Sequence, residues 1–193
     1  AIREMDSLME AGERGGPPAS LKGDVPLLLL ERGTLFLMNG ELEASARDLM
    51  MADPLLEVLD VRDKTGDSIG KFVFSDDSGA YVVPGFEKSM VNTLNMLNFL
   101  GLDDLNKARV EAKRFQIAAK YLNSESENPP KNALGYYLAG LTYERLGRSD
   151  EALRYYLDAL RPHTFPSLLP VLKRLAPMAK SVPSEIQEFL DAS

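Results

Sequence analysis

Apolar and small residues recur every three to four positions along most of this chain, and that spacing predicts helix after helix. The clearest stretch is residues 136–159, YYLAGLTYERLGRSDEALRYYLDA. Small Gly140, Ala152 and Ala159 alternate there with large Tyr136, Tyr143 and Tyr156. Leu146-Gly147-Arg148 reads as a turn, so residues 133–160 form a helical hairpin whose helices touch closely at the small residues. A second hairpin is expected over 26–60. Leu29, Gly33, Phe36 and Leu37 share one side, Asn39-Gly40 is a stop signal, and Leu42, Ser45, Leu49 and Ala52 face inward after it. A third covers 86–122: a helix over 87–100, a turn at Gly101-Leu102-Asp103-Asp104, and a partner helix over 105–122. Ser45 and Ala108 fall at the place of Ala152, and Ala112 falls at the place of Tyr156.

The remaining segments connect or cap these pairs. Residues 1–23 read as a short helix, with Ile2, Met5, Leu8 and Met9 on one face, followed by a Gly- and Pro-rich linker. Residues 68–84 break the helical spacing. KFVF and AYVV flank the polar turn SDDSG, which predicts either a β-hairpin or an irregular loop that packs Phe72, Phe74 and Tyr81 onto the helices. SESENPPK at 124–131 lengthens another connection. Residues 165–193 predict two capping helices, over 166–175 and 184–190. Ser184 and Gln187 sit at capping-box spacing at the start of the second. The expected architecture is all-α, one domain of about three hairpins plus caps.

Charge and composition narrow the partners. The net charge is −7, which gives no phosphate-binding footprint, so nucleic acid is not an expected partner and anionic membranes are disfavoured. No cysteine is present, which removes thiolate catalysis, disulfides and cysteine-based zinc sites. No apolar run reaches the roughly 18 residues of a membrane span. The sequence starts at Ala1 rather than Met, so a signal peptide or a lipid-bearing Cys is an open possibility upstream.

The alternation at 136–159 resembles the tetratricopeptide repeat (TPR), a helical hairpin of about 34 residues. Three segments in order are similar to one poorly characterised group of bacterial envelope TPR proteins, often lipoproteins. They are LLLERGTLFLMNGELEASARDLMMAD (28–53), YVVPGFEKSMVNTLNMLNFLGLDDLNKARVEAKR (81–114) and ALGYYLAGLTYERLGRSDEALRYYLDAL (133–160). The middle segment carries an aromatic-Glu-Lys entry, Phe86-Glu87-Lys88, and a Val110-Glu111-Ala112-Lys113-Arg114 run. The resemblance implies a protein-binding scaffold in a bacterial envelope, periplasmic or outer-membrane associated, and it implies no chemistry.

Catalytic constellations are missing from the pattern. His163 is the lone histidine, no serine sits in Gly-x-Ser-x-Gly, and no glycine run cradles phosphate. The acidic stretches around Asp60 and Asp76 lack the ligand alternation of a calcium loop, so no metal or cofactor is expected. Asp103 and Asp104 read as helix N-terminal residues. What stands out is Asn92, Asn95 and Asn98, three poor helix formers at every third position of one helix. A row of amides offers donors and acceptors to a peptide backbone, or else forms a polar outer face or bonds to the insertion. By repeat position Tyr137, Leu141, Glu144 and Arg145 line the concave side of the third hairpin, and Thr34 and Met38 that of the first. Glu111, Lys113 and Arg114 read either as further groove residues or, more readily, as a salt-bridged exposed face. The expected function is capture of a protein or peptide segment. The alternative is an assembly module whose apolar, Met-rich edges (Met50, Met51, Met90, Met96) self-associate into a homo-oligomer or dock in a larger complex.

Overall fold

The computed structural model describes residues 1–12, 17, 21, 23–63, 85–125, 132–162 and 165–192. Among the described residues the chain is all α, with no strand. The helices are α1 (Ile2–Glu10), α2 (Val25–Met38), α3 (Leu42–Asp63), α4 (Gly85–Gly101), α5 (Leu105–Glu125), α6 (Ala133–Arg145), α7 (Ser149–Leu160), α8 (Leu169–Leu175) and α9 (Ser184–Asp191). Short 3₁₀ turns at Pro166–Leu168 and Ala176–Met178 bracket α8. The expected insertion at 68–84, most of the 124–131 connection and His163 lie outside the described residues. The chain divides into two compact units, Ala1–Val91 and Asn92–Ser193.

In the first unit α2 and α3 pack as a hairpin. Pro26 opens α2 where its missing N–H costs nothing, and Leu29, Gly33 and Phe36 form the buried stripe. Leu49, Ala52 and Leu56 of α3 are fully buried as well. Gly33 makes the close approach: a Cβ there would stand 3.0 Å from Leu49 Cγ. The helix α3 passes through Pro54 without ending. In α1 no residue is buried, and Arg32 of α2 reaches across to Asp6.

In the second unit the α6–α7 pair is tighter still. A Cβ on Gly140 would lie 2.6 Å from the Tyr156 ring, so only glycine admits that tyrosine. Phe115 of α5 meets Tyr136 edge-on at 5.0 Å, and Tyr143 stacks on Tyr155 at 5.3 Å. Leu168, Leu172, Leu175 and Ile186 are buried where α8 and α9 cover α7. Asp150 at the start of α7 accepts the Lys180 and Ser181 backbone N–H groups and ties that cover down.

Three interhelical turns share one backbone geometry. In each a left-handed residue follows the first helix: Gly40 at φ 79°, Asp103 at φ 58° and Gly147 at φ 70°. The next N–H then reaches back to an aromatic residue's carbonyl: Glu41 to Phe36, Asp104 to Phe99 and Arg148 to Tyr143, at 2.8–2.9 Å. This is the Schellman closure that satisfies the last carbonyls of a helix. Asp103 stands where the other turns place glycine, and aspartate is among the residues that tolerate this conformation.

Two sequence readings of helix starts end differently. Asp104 does cap α5, its carboxylate accepting the Lys107 N–H at 3.0 Å, whereas Asp103 is the turn residue and pairs with Arg145. The Lys107 backbone hydrogen bond, then that residue's side chain, holds the Asp104 carboxyl below its ordinary value. Its contribution is therefore complete above the ordinary carboxylate pKa and fades as pH falls through the lowered one. Asp104→Ala is expected to cost about 1 kcal/mol at pH 7. The gap between the two urea midpoints should start to narrow below about pH 4 and close only as pH falls through the lowered value. The expected capping box at Ser184 is not formed. Pro183, extended at ψ 140°, is the residue that caps α9, which moves Ser184 inside the helix. Ser184 then bonds Glu185 and Gln187 bonds Asp191.

Candidate docking surface

The α6 helix is built to be rigid on one side and open on the other. Asn132 caps it, accepting the Gly135 N–H at 2.9 Å and donating to Thr93 Oγ1 of α4 at 2.9 Å. Gly135, Leu138, Ala139, Thr142 and Tyr143, at i, i+3, i+4, i+7 and i+8, form the buried side. Opposite them Leu134 and Tyr137 are 48% and 37% exposed, and Leu141 is half-buried one turn further on. The Tyr137 ring rests on Tyr156, centroids 5.9 Å apart, which fixes an aromatic face in a surface of aliphatic carbon. Burial pushes the Tyr156 hydroxyl well above the ordinary tyrosine range, so it stays protonated and donates to Glu144.

Glu144 and Arg145 frame this surface rather than offer free charges. Glu144 accepts from Tyr156 and pairs with Arg174 of α8. Arg145 donates to the Leu100 carbonyl at 3.1 Å and to Asp103 at 2.6 Å. With the Asn132–Thr93 bond, these contacts lay α6 alongside the second unit's part of α4. The remaining expected residues are placed elsewhere. Thr34 spends its hydroxyl on the Leu30 carbonyl at 2.7 Å, and Met38 projects, 80% exposed, at the end of α2; both belong to the first unit.

The asparagine row requires a correction. Asn92, Asn95 and Asn98 keep 4%, 1% and 0% of their accessible surface, so they present no amide row to a ligand. Asn92 donates to Glu111 Oε2 at 3.0 Å, itself buried and also paired with Arg114. The Asn95 carbonyl oxygen is buried without a hydrogen-bond partner among the described residues. The cause is register. Matching Ala108 with Ala152 matches Asn95 with Ala139 and Asn98 with Thr142, both fully buried in α6. The same register matches Leu141 with Leu97, which is 40% exposed, so Leu97 and Leu134 are the open-face residues that the three asparagines drew attention away from. Glu111 likewise is no exposed groove residue. Of the methionines, Met96 is buried while Met50 and Met51 are exposed.

Among the described residues no group of three or more carboxylates or imidazoles converges to hold a metal, and no helix is long and apolar enough to cross a membrane. No protein-family model, curated protein or solved structure matches this chain.

Proposed function

We propose that this chain is a TPR-type scaffold that holds a segment of another protein against the open face of α6. The observation that carries the reading is the exposed apolar strip Leu134–Tyr137–Leu141, backed by a close-packed core and framed by the fixed Glu144 and Arg145. A rigid aromatic anchor in a pre-ordered surface loses little entropy on binding, which makes Tyr137 the expected centre of affinity. The repeat assignment draws support from the shared turn geometry and from the buried small residues Ser45, Ala108 and Ala152 at matching positions. The envelope location rests on the family resemblance, as does lipid attachment upstream of Ala1.

Peptide arrays covering the host's envelope proteins test the reading. Tyr137→Ala should weaken the strongest hit by about 2 kcal/mol, roughly 30-fold. Leu141→Asp should abolish it, with far-UV circular dichroism unchanged for both. Binding that survives both changes rejects the surface. A second reading, self-assembly through the first unit, is favoured by exposed Met38, Met50, Met51 and Leu55. Light scattering separates the two: a concentration-independent monomer removes self-assembly.

A further inference from the structure

The outward side of α5 combines exposed apolar and basic side chains in a chain whose net charge is −7. Val110, Ile117 and Tyr121, at i, i+7 and i+11, are exposed on it, Ile117 to 70%. At 3.6 residues per turn they fall at the centre of an arc of about 140°. Lys113 and Lys120 flank the strip on one side, Lys107 and Arg114 on the other. The α5 carboxylate Glu111 is turned inward against Asn92, so none faces this arc between Leu105 and Tyr121. Lys107 and Arg114 have partners in Asp104 and Glu111. Lys113 and Lys120 make no ion pair among the described residues. The spacing is that of a heptad seam, with Val110 and Ile117 at d, Arg114 and Tyr121 at a, and the two unpaired lysines at g.

From this we infer that the outward face of α5 is a second docking surface, and that its occupant is an acidic amphipathic helix of a partner protein. The apolar strip takes the partner's apolar seam, and Lys113 and Lys120 take its flanking carboxylates. Charge decides against the other occupants. An antiparallel second α5 would set lysine against lysine across the seam and a parallel one Arg114 against Arg114, and a net charge of −7 disfavours approach to an anionic bilayer. The inference is independent of the α6 surface, and Tyr137→Ala should leave it intact.

The probes are two synthetic three-heptad peptides with Leu at a and d, one with Glu and one with Lys at e and g. Fluorescence anisotropy should show the Glu peptide binding with a Kd on the order of tens of micromolar at low salt and several-fold more weakly at 0.3 M salt. The Lys peptide should not bind. Ile117→Asp should abolish binding without changing the melting curve, and Lys113→Glu/Lys120→Glu should switch preference to the Lys peptide. Equal binding of both peptides, no switch on charge reversal, binding to phosphatidylglycerol vesicles in place of the Glu peptide, or a dimer that charge reversal dissolves would each overturn the inference.

Discussion

Asp48→Ala should destabilise the first unit by about 3–5 kcal/mol, because it removes one partner of a buried ion pair. The Asp48 carboxylate has no solvent exposure. It accepts from Arg32 Nε at 2.6 Å and Nη2 at 3.2 Å, and from Arg47 Nε at 3.1 Å. Arg32 is itself nearly enclosed and spends its remaining nitrogen on Asp6 at 2.9 Å, so one guanidinium ties α1, α2 and α3 together. The hydrogen bond to Asp48 is the main influence raising the Arg32 pKa, against the opposing pull of burial. The alanine variant therefore leaves a charged guanidinium facing a cavity, with no route to neutrality. Removing both charges is a different experiment. Arg32→Met/Asp48→Leu should recover most of the loss, because the desolvation cost disappears along with the attraction. Native-state hydrogen exchange at α2 and α3 reads both variants locally. Asp48→Ala should lower protection by roughly two to four orders of magnitude, and the double variant by far less.

Glycine-to-alanine replacement in α6 is expected to be harmful at two positions, against the usual trend for helices. Helix propensity alone favours the change by about 1 kcal/mol. At Gly135, however, the new Cβ would stand 2.3 Å from Phe115 Cε2 and 2.8 Å from Thr93 Oγ1. At Gly140 it would stand 2.6 Å from two ring carbons of Tyr156. Phe115 and Tyr156 are both buried, so neither ring has space to retreat into. Overpacking of this kind costs about 1–3 kcal/mol, and the collisions are close enough to put both sites at the upper end. Net destabilisation of about 1–2 kcal/mol in urea titrations is expected after the propensity gain is returned. Gly140→Ala/Tyr156→Leu, which shortens the obstructing side chain, should be less additive than two independent changes.

The helices were legible because their buried faces are made of different residue types from their open ones. Gly140 opposite Tyr156, and Ser45, Ala108 and Ala152 at matching places, announce close helix contacts in the sequence itself. The turns were equally legible, since Asn39-Gly40 and Leu146-Gly147 supply the left-handed residue that a helix stop needs. The site was harder to read. Asparagine looks like a surface residue, so the row at Asn92, Asn95 and Asn98 suggested an exposed ribbon. Carrying the third hairpin's register onto the second would have placed Asn95 and Asn98 at the positions of α6's buried Ala139 and Thr142. Glu144 and Arg145 look like ligand-binding charges for the same reason. Their partners, Arg174, Asp103 and the Leu100 carbonyl, are about thirty or more residues away in sequence and no local pattern announces them. The capping box at Ser184 failed more simply, because the residue before it is a proline that takes the boundary itself.

The most direct measurement is site-specific photocrosslinking in the host cell, with benzoylphenylalanine placed at Leu141 on the open side of α6 or at exposed Arg154 on α7. A scaffold that holds a protein segment on the α6 face should give one discrete adduct from position 141, lost when Tyr137→Ala is added, and none from position 154. Identical adducts from both positions, or an adduct at 141 that Tyr137→Ala leaves unchanged, would contradict the account.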